Sequence, residues 1–126
     1  SNIAQMEDNI SFMKDFKPLS EQEQAVIEQA RAILAGIPVI PCTACAYCMK
    51  GCPKTIAIYG SFQAYNAYKV YGDMGGAAGN YAWNTDGHGW GKASACIQCG
   101  KCEQVCPQHI AIREELKKVA ELFEKQ

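Results

Sequence analysis

No stretch of this chain approaches the roughly 20 consecutive apolar residues that a transmembrane helix needs, so a helical membrane span is excluded. The N-terminus lacks a basic segment followed by an apolar core. No secretory leader is therefore expected, and a cytoplasmic location is. Charge of one sign is missing as well. Twelve Lys and Arg against thirteen Asp and Glu give a net charge of −1 and a pI near 6.1, without the basic patch that marks a nucleic-acid surface. Strand signals are also absent, because no segment sustains alternation of apolar and polar residues. Hydrophobic residues at 48% and charged ones at 20% are those of a globular protein. At 126 residues the chain is one domain, or one domain with an appendage.

Cysteine is what the chain has in excess, with eight. In a chain without a secretion signal such density points to metal rather than to disulfides. Four of them fall within "CTACAYCMKGCP", Cys42 to Pro53, and four within "CIQCGKCEQVCP", Cys96 to Pro107. Each cysteine of the second run lies 54 positions after its counterpart, and Pro53, Ile56, Ala57 and Ile58 recur as Pro107, Ile110, Ala111 and Ile112. Eight identities in 17 aligned positions indicate an internal duplication in which each copy builds one site.

The spacing selects the metal group. Structural zinc commonly takes two separated Cys-x2-4-Cys pairs. Here the run is Cys-x2-Cys-x2-Cys-x3-Cys-Pro, the pattern that holds [4Fe–4S] clusters. Three iron corners of a cube take thiolates from one curling loop, and the fourth is reached from elsewhere. In two-cluster ferredoxins the fourth cysteine of each run ligates the other cluster. Applied here, cluster 1 takes Cys42, Cys45, Cys48 and Cys106, and cluster 2 takes Cys96, Cys99, Cys102 and Cys52. Structural zinc or a disulfide knot is the competing reading. Small residues, Ala44, Ala46, Gly51 and Gly100, suit a backbone that must approach inorganic sulfide closely. Ile56, Ile58, Ile110 and Ile112 are expected to shield the clusters from water, which tunes reduction potential.

The residues between and around the runs read as helix. Ile58, Phe62, Tyr65 and Tyr68 recur at helical steps after Pro53, which helps to start that helix, and Gly72 closes it. Seven glycines between positions 72 and 91 predict loop, with at most a short helix around Ala77 to Trp83. The aromatic residues Tyr59, Tyr65, Tyr68, Tyr71, Tyr81, Trp83 and Trp90 are expected to fill a core poor in aliphatic side chains. His88 reads as a loop residue and His109 as a neighbour of a cluster. Beyond Pro107, Ile112, Leu116, Val119, Ala120 and Phe123 make one face of an amphipathic helix, whose charged residues read as a solvated face.

Upstream, Ser20 with Glu23 is a capping box that opens a helix with Val26, Ile27, Ala30, Ile33 and Leu34 on one side, ended by Gly36 and Pro38. Ile3, Met6, Ile10 and Met13 line an earlier helix capped by Asn2. "IPVIP", residues 37 to 41, is an extended linker. The fold class is therefore all-α: a helical hairpin over residues 1–36 followed by a helical dicluster ferredoxin-like domain over 37–126.

Three stretches, "PCTACAYCMKGCP", "AYNAYKVYGD" and "ASACIQCGKCEQVCPQHIAI", resemble the C-terminal ferredoxin extension of iron–sulfur aldo/keto reductases. The opening "SNIAQMEDN" is similar to the end of the barrel in that family. That resemblance implies that Gln5, Asp8 and Asn9 are remnants of the adenine side of an NADP site. It implies too that the catalytic barrel of the same polypeptide lies upstream, so this fragment alone lacks the Asp-Tyr-Lys-His catalytic set. The favoured function is electron transfer through two [4Fe–4S] clusters, as the C-terminal module of such an oxidoreductase, with a redox partner protein as a further candidate partner. A free-standing dicluster electron carrier and a structural, metal-stabilised interaction domain are the alternatives.

Overall fold

Two N-terminal helices form where local capping asks for them. In the computed structural model, which describes residues 2–125, α1 spans Ile3–Lys14 and α2 spans Glu21–Ala35. The Asn2 side chain accepts the Gln5 N–H at 2.9 Å, and the Gln5 side chain accepts the Asn2 N–H at 3.1 Å. Ser20 and Glu23 close the same reciprocal box before α2, at 3.3 and 2.8 Å. Each box satisfies backbone N–H groups that a helix start would leave unpaired. Contacts divide the chain into two units, Ser1–Gly36 and Ile37–Gln126. The first has no core of its own. Neither helix buries a residue, and both expected apolar stripes stand at least 45% exposed at every large side chain.

The second unit is built on three helices: α4 (Ile58–Tyr71), α5 (Met74–Ala82) and α7 (Ile112–Phe123). Two one-turn helices, α3 (Tyr47–Lys50) and α6 (Lys101–Gln104), sit within the cysteine runs. Helix makes up 63% of the structure, and no strand forms among the described residues. An isolated parallel bridge joins Ile56 to Gly91. A side chain at Gly91 would run into the Lys54 carbonyl, so this close approach requires glycine.

The core gathers Ile58, Phe62 and Ala64 of α4, Tyr81 of α5, and Ile112, Leu116 and Val119 of α7, with Ile40, Ile56, Ala93 and Ile110. Burying each of the larger of these side chains contributes roughly 1.5–3 kcal/mol. The expectation that the aromatics fill this core is corrected: of those named, only Tyr81 is buried, at 5% exposure, whereas Tyr71 and Trp83 stand 80% and 64% exposed. Phe62 and the isoleucines supply the volume instead.

The glycine-rich segment, expected as loop with at most a short helix around Ala77 to Trp83, forms a longer helix that starts at Met74. Asp73 caps α5, accepting the Gly76 N–H at 3.0 Å, and the helix is held by burial of Ala77 and Tyr81. A π-type turn follows at Trp83–Gly87. Here packing outweighs the helix cost of glycine, about 1 kcal/mol per residue. Helix α4, for its part, starts at Ile58 rather than beside Pro53, after a turn in which Thr55 is left-handed at φ 47. Gly72 ends α4 at φ 71, as its position predicts.

Candidate metal centre

The duplication is written in the backbone. Ala44, Ala46, Thr55, Gln98 and His109 are non-glycine residues with positive φ, of 56, 62, 47, 60 and 51°. Together with Gly100 at φ 76 they form three pairs separated by 54 residues: 44 with 98, 46 with 100, and 55 with 109. Left-handed backbone costs an L-residue on the order of 1–2 kcal/mol, so its repetition marks a shape that the loops must take. Gly51 is not part of it; its φ is an ordinary −104. Hydrogen bonds repeat in register too. The N–H groups of Cys52 and Cys106 donate to Met49 and Glu103, and those of Thr55 and His109 donate to Cys52 and Cys106.

Folded this way, each run curls three cysteines around one cavity and sends its fourth to the other. Cys42, Cys45, Cys48 and Cys106 line one space. Cys96, Cys99, Cys102 and Cys52 line another. Ile58, Ile110 and Ile112 wall the first, and Ile56 and Ile58 the second. All four isoleucines are buried, at 7% exposure or less. Cys48 and Cys102 are buried, while Cys45 and Cys99 reach the surface. Among the described residues no three His, Cys, Asp or Glu side chains gather closely enough to hold a single metal ion. Four thiols around one space walled by isoleucines suit a bulky inorganic group such as the cluster the cysteine spacing calls for.

Burial raises the Cys48 thiol to about 12, reinforced by the neighbouring Cys42 and Cys102 sulfurs. It raises Cys42 and Cys102 in the same direction. The metal ligand is the thiolate, so loading these sites must release protons.

Neighbouring helices pin the entrance to each run. The Asn66 side chain on α4 accepts the Ile40 N–H at 2.8 Å and donates to the Ile40 carbonyl at 2.7 Å, fixing the linker just before Cys42. Before Cys96, the Tyr81 hydroxyl accepts the Ala93 N–H at 2.8 Å and donates to the Glu124 carboxylate, which also accepts the Ser94 N–H at 3.2 Å. Burial pushes the Glu124 carboxyl up, but its hydrogen bonds from Ser94 and Tyr81 outweigh this and hold it below the usual range.

Two expectations about single residues are corrected. Arg113 is not simply part of a solvated face. It lines the second cavity, its guanidinium pairs with Glu103 at 2.9 Å, and its backbone N–H donates to the same carboxylate. That bond lowers the Glu103 carboxyl and raises Arg113. His109 is exposed and left-handed, and Gln108 is the neighbour that lines the first cavity. His88 stands edge-on to Trp83, with ring centres 4.9 Å apart. Gln5, Asp8 and Asn9 are exposed on α1, where Gln5 serves the capping box and the Asp8 carbonyl accepts the Ser11 hydroxyl.

The family model described as 4Fe-4S dicluster domain matches residues 41–111, more than half of the chain. No curated protein and no solved structure matches it significantly.

Proposed function

The chain belongs to the family of 4Fe-4S dicluster domains, and from that premise we propose that it carries two [4Fe–4S] clusters as the electron-transfer module of an aldo/keto reductase family oxidoreductase. The observation that carries the first half is the pair of four-thiol cavities, each drawing three cysteines from one run and one from the other. Cys42, Cys45, Cys48 and Cys106 would hold one cluster, and Cys96, Cys99, Cys102 and Cys52 the other. Such a cluster, when bound, takes up or gives out one electron at a time. The chain's own residues supply the setting: the isoleucines keep water from the cavity walls, and Cys45 and Cys99 offer the exposed edge of each site. Electron exchange with a partner protein belongs at those edges.

The oxidoreductase half is supported by the resemblance of residues 1–9 and by the state of the first unit. Helices α1 and α2 present apolar stripes with no core beneath them, as expected of elements that an upstream barrel would cover. In that parent, Gln5, Asp8 and Asn9 would face the adenine side of NADP.

Iron and sulfide analysis of protein prepared without oxygen tests the cluster reading. About eight irons per chain are expected, two cubes' worth, and stoichiometric zinc without iron would overturn it. Ligand exchange is tested by Cys52→Ser and Cys106→Ser, each of which should disturb the cluster of the other run and spare its neighbour. The parent reading stands or falls on whether barrel strands with an Asp-Tyr-Lys-His set are encoded upstream of Ser1 in the same reading frame.

A further inference from the structure

The two cavities share a shape but not a charge. Lys54, Lys101 and Arg113 line the second. The positions 54 residues away hold Gln108, Tyr47 and Tyr59, and no Asp, Glu, Lys, Arg or His lines the first cavity. Arg113 brings Glu103 with it at 2.9 Å, which offsets one of the three positive charges. Among the described residues Lys54 and Lys101 have no carboxylate within ion-pair distance. Lys50 lines neither cavity; it shares with Lys101 a groove between α3 and α6.

Reduction adds one negative charge to whatever the four thiolates hold. A cation beside the site favours the reduced form, and walls of Ile and Phe without a cation disfavour it. Salt screens surface charges more than partly buried ones, and Arg113 is half-buried against the loop of the second run. Resting on the reading that each cavity holds a [4Fe–4S] cluster, we infer that Lys54 and Lys101, the two cations beside it without a carboxylate partner, make the second cavity the higher-potential site. The first electron added to this protein comes to rest there, and the first cavity is the lower-potential station.

The test is a potentiometric titration of the fully iron-loaded chain with dithionite, which gives up the electrons and is itself oxidised to sulfite. Reduced clusters are followed by electron paramagnetic resonance. Two one-electron steps at separate potentials are expected. The double variant Lys54→Gln, Lys101→Gln should move the higher step down and leave the lower one in place, while Lys54→Arg should leave both. Gln108→Lys puts a cation at the matching place of the first cavity and should raise the lower step, narrowing the gap. Both lysines are exposed, and unchanged iron content and circular dichroism confirm that the variants fold and load. Coincident steps in the unaltered chain would overturn the inference. So would a double variant that moves neither step, moves the lower one, or moves both equally. Failure to load iron would instead count against the cluster reading itself, so the two failures are distinguishable.

Discussion

Alanine at position 46 and glycine at position 100 occupy the same left-handed place in the two runs, at φ 62 and 76. The chain thus contains both solutions to one backbone demand, and the costs of each can be compared within one protein. Glycine meets no Cβ penalty there, whereas alanine carries on the order of 1 kcal/mol of it, partly offset by glycine's greater freedom in the unfolded chain. Ala46→Gly should therefore stabilise the loaded protein by a few tenths to about 1 kcal/mol. Gly100→Ala should destabilise it by about 1 kcal/mol, with its Cβ finding only ordinary contact with the Arg113 side chain at 3.8 Å. Anaerobic denaturant titrations of the two variants would measure both signs. A stabilising Gly100→Ala would mean that the loop does not need this conformation.

Between elements, the hydroxyl of Tyr81 ties α5 to the segment entering the second run and, through Glu124, to the end of α7. The Ala93 N–H that it accepts belongs to a residue only 2% exposed. Tyr81→Phe leaves that N–H without a partner, which costs about 1–3 kcal/mol, although ring stacking on Phe123 at 5.0 Å is kept. Denaturation midpoints of the iron-loaded variant would show the loss, and an unchanged midpoint would mean that water replaces the hydroxyl. Nothing in the sequence around Tyr81 announces this role. Helices α1, α2, α4 and α7 were legible because caps and periodic apolar residues are local signals, as at Ser20, Glu23 and Gly72. Helix α5 was legible only over part of its length, because its glycines argue against helix locally and the burial of Ala77 and Tyr81 reverses the balance. Asn66 and Arg113 were illegible for the same kind of reason. Each acts on a segment 10 to 26 residues away, and only the fold brings them together.

At the scale of the whole molecule, the eight thiols lie in a unit whose fully buried large apolar side chains, among the described residues, are six: Phe62, Ile56, Ile58, Ile112, Leu116 and Val119. Ordering a chain costs roughly 1–2 kcal/mol of backbone entropy per residue, and so small a core leaves much for metal binding to supply. Chelation or oxidative loss of iron should weaken the helical far-ultraviolet circular dichroism, and equal helicity and stability without iron would contradict this. Calorimetry with NADPH should find no micromolar binding to this chain, since fixing a dinucleotide is costly and Gln5, Asp8 and Asn9 stand exposed on α1. The exchange of the fourth cysteine has its own bearing on history and assembly. Three lining cysteines from one copy and one from the other, repeated with matching backbone at an interval of 54 residues, is the pattern of a two-fold symmetric pair. In such a pair the same patch is given and received by both members. A chain with a single run could complete its site only by joining a second copy of itself. The covalent link between the runs replaces that encounter, and makes the assembly of both sites independent of protein concentration.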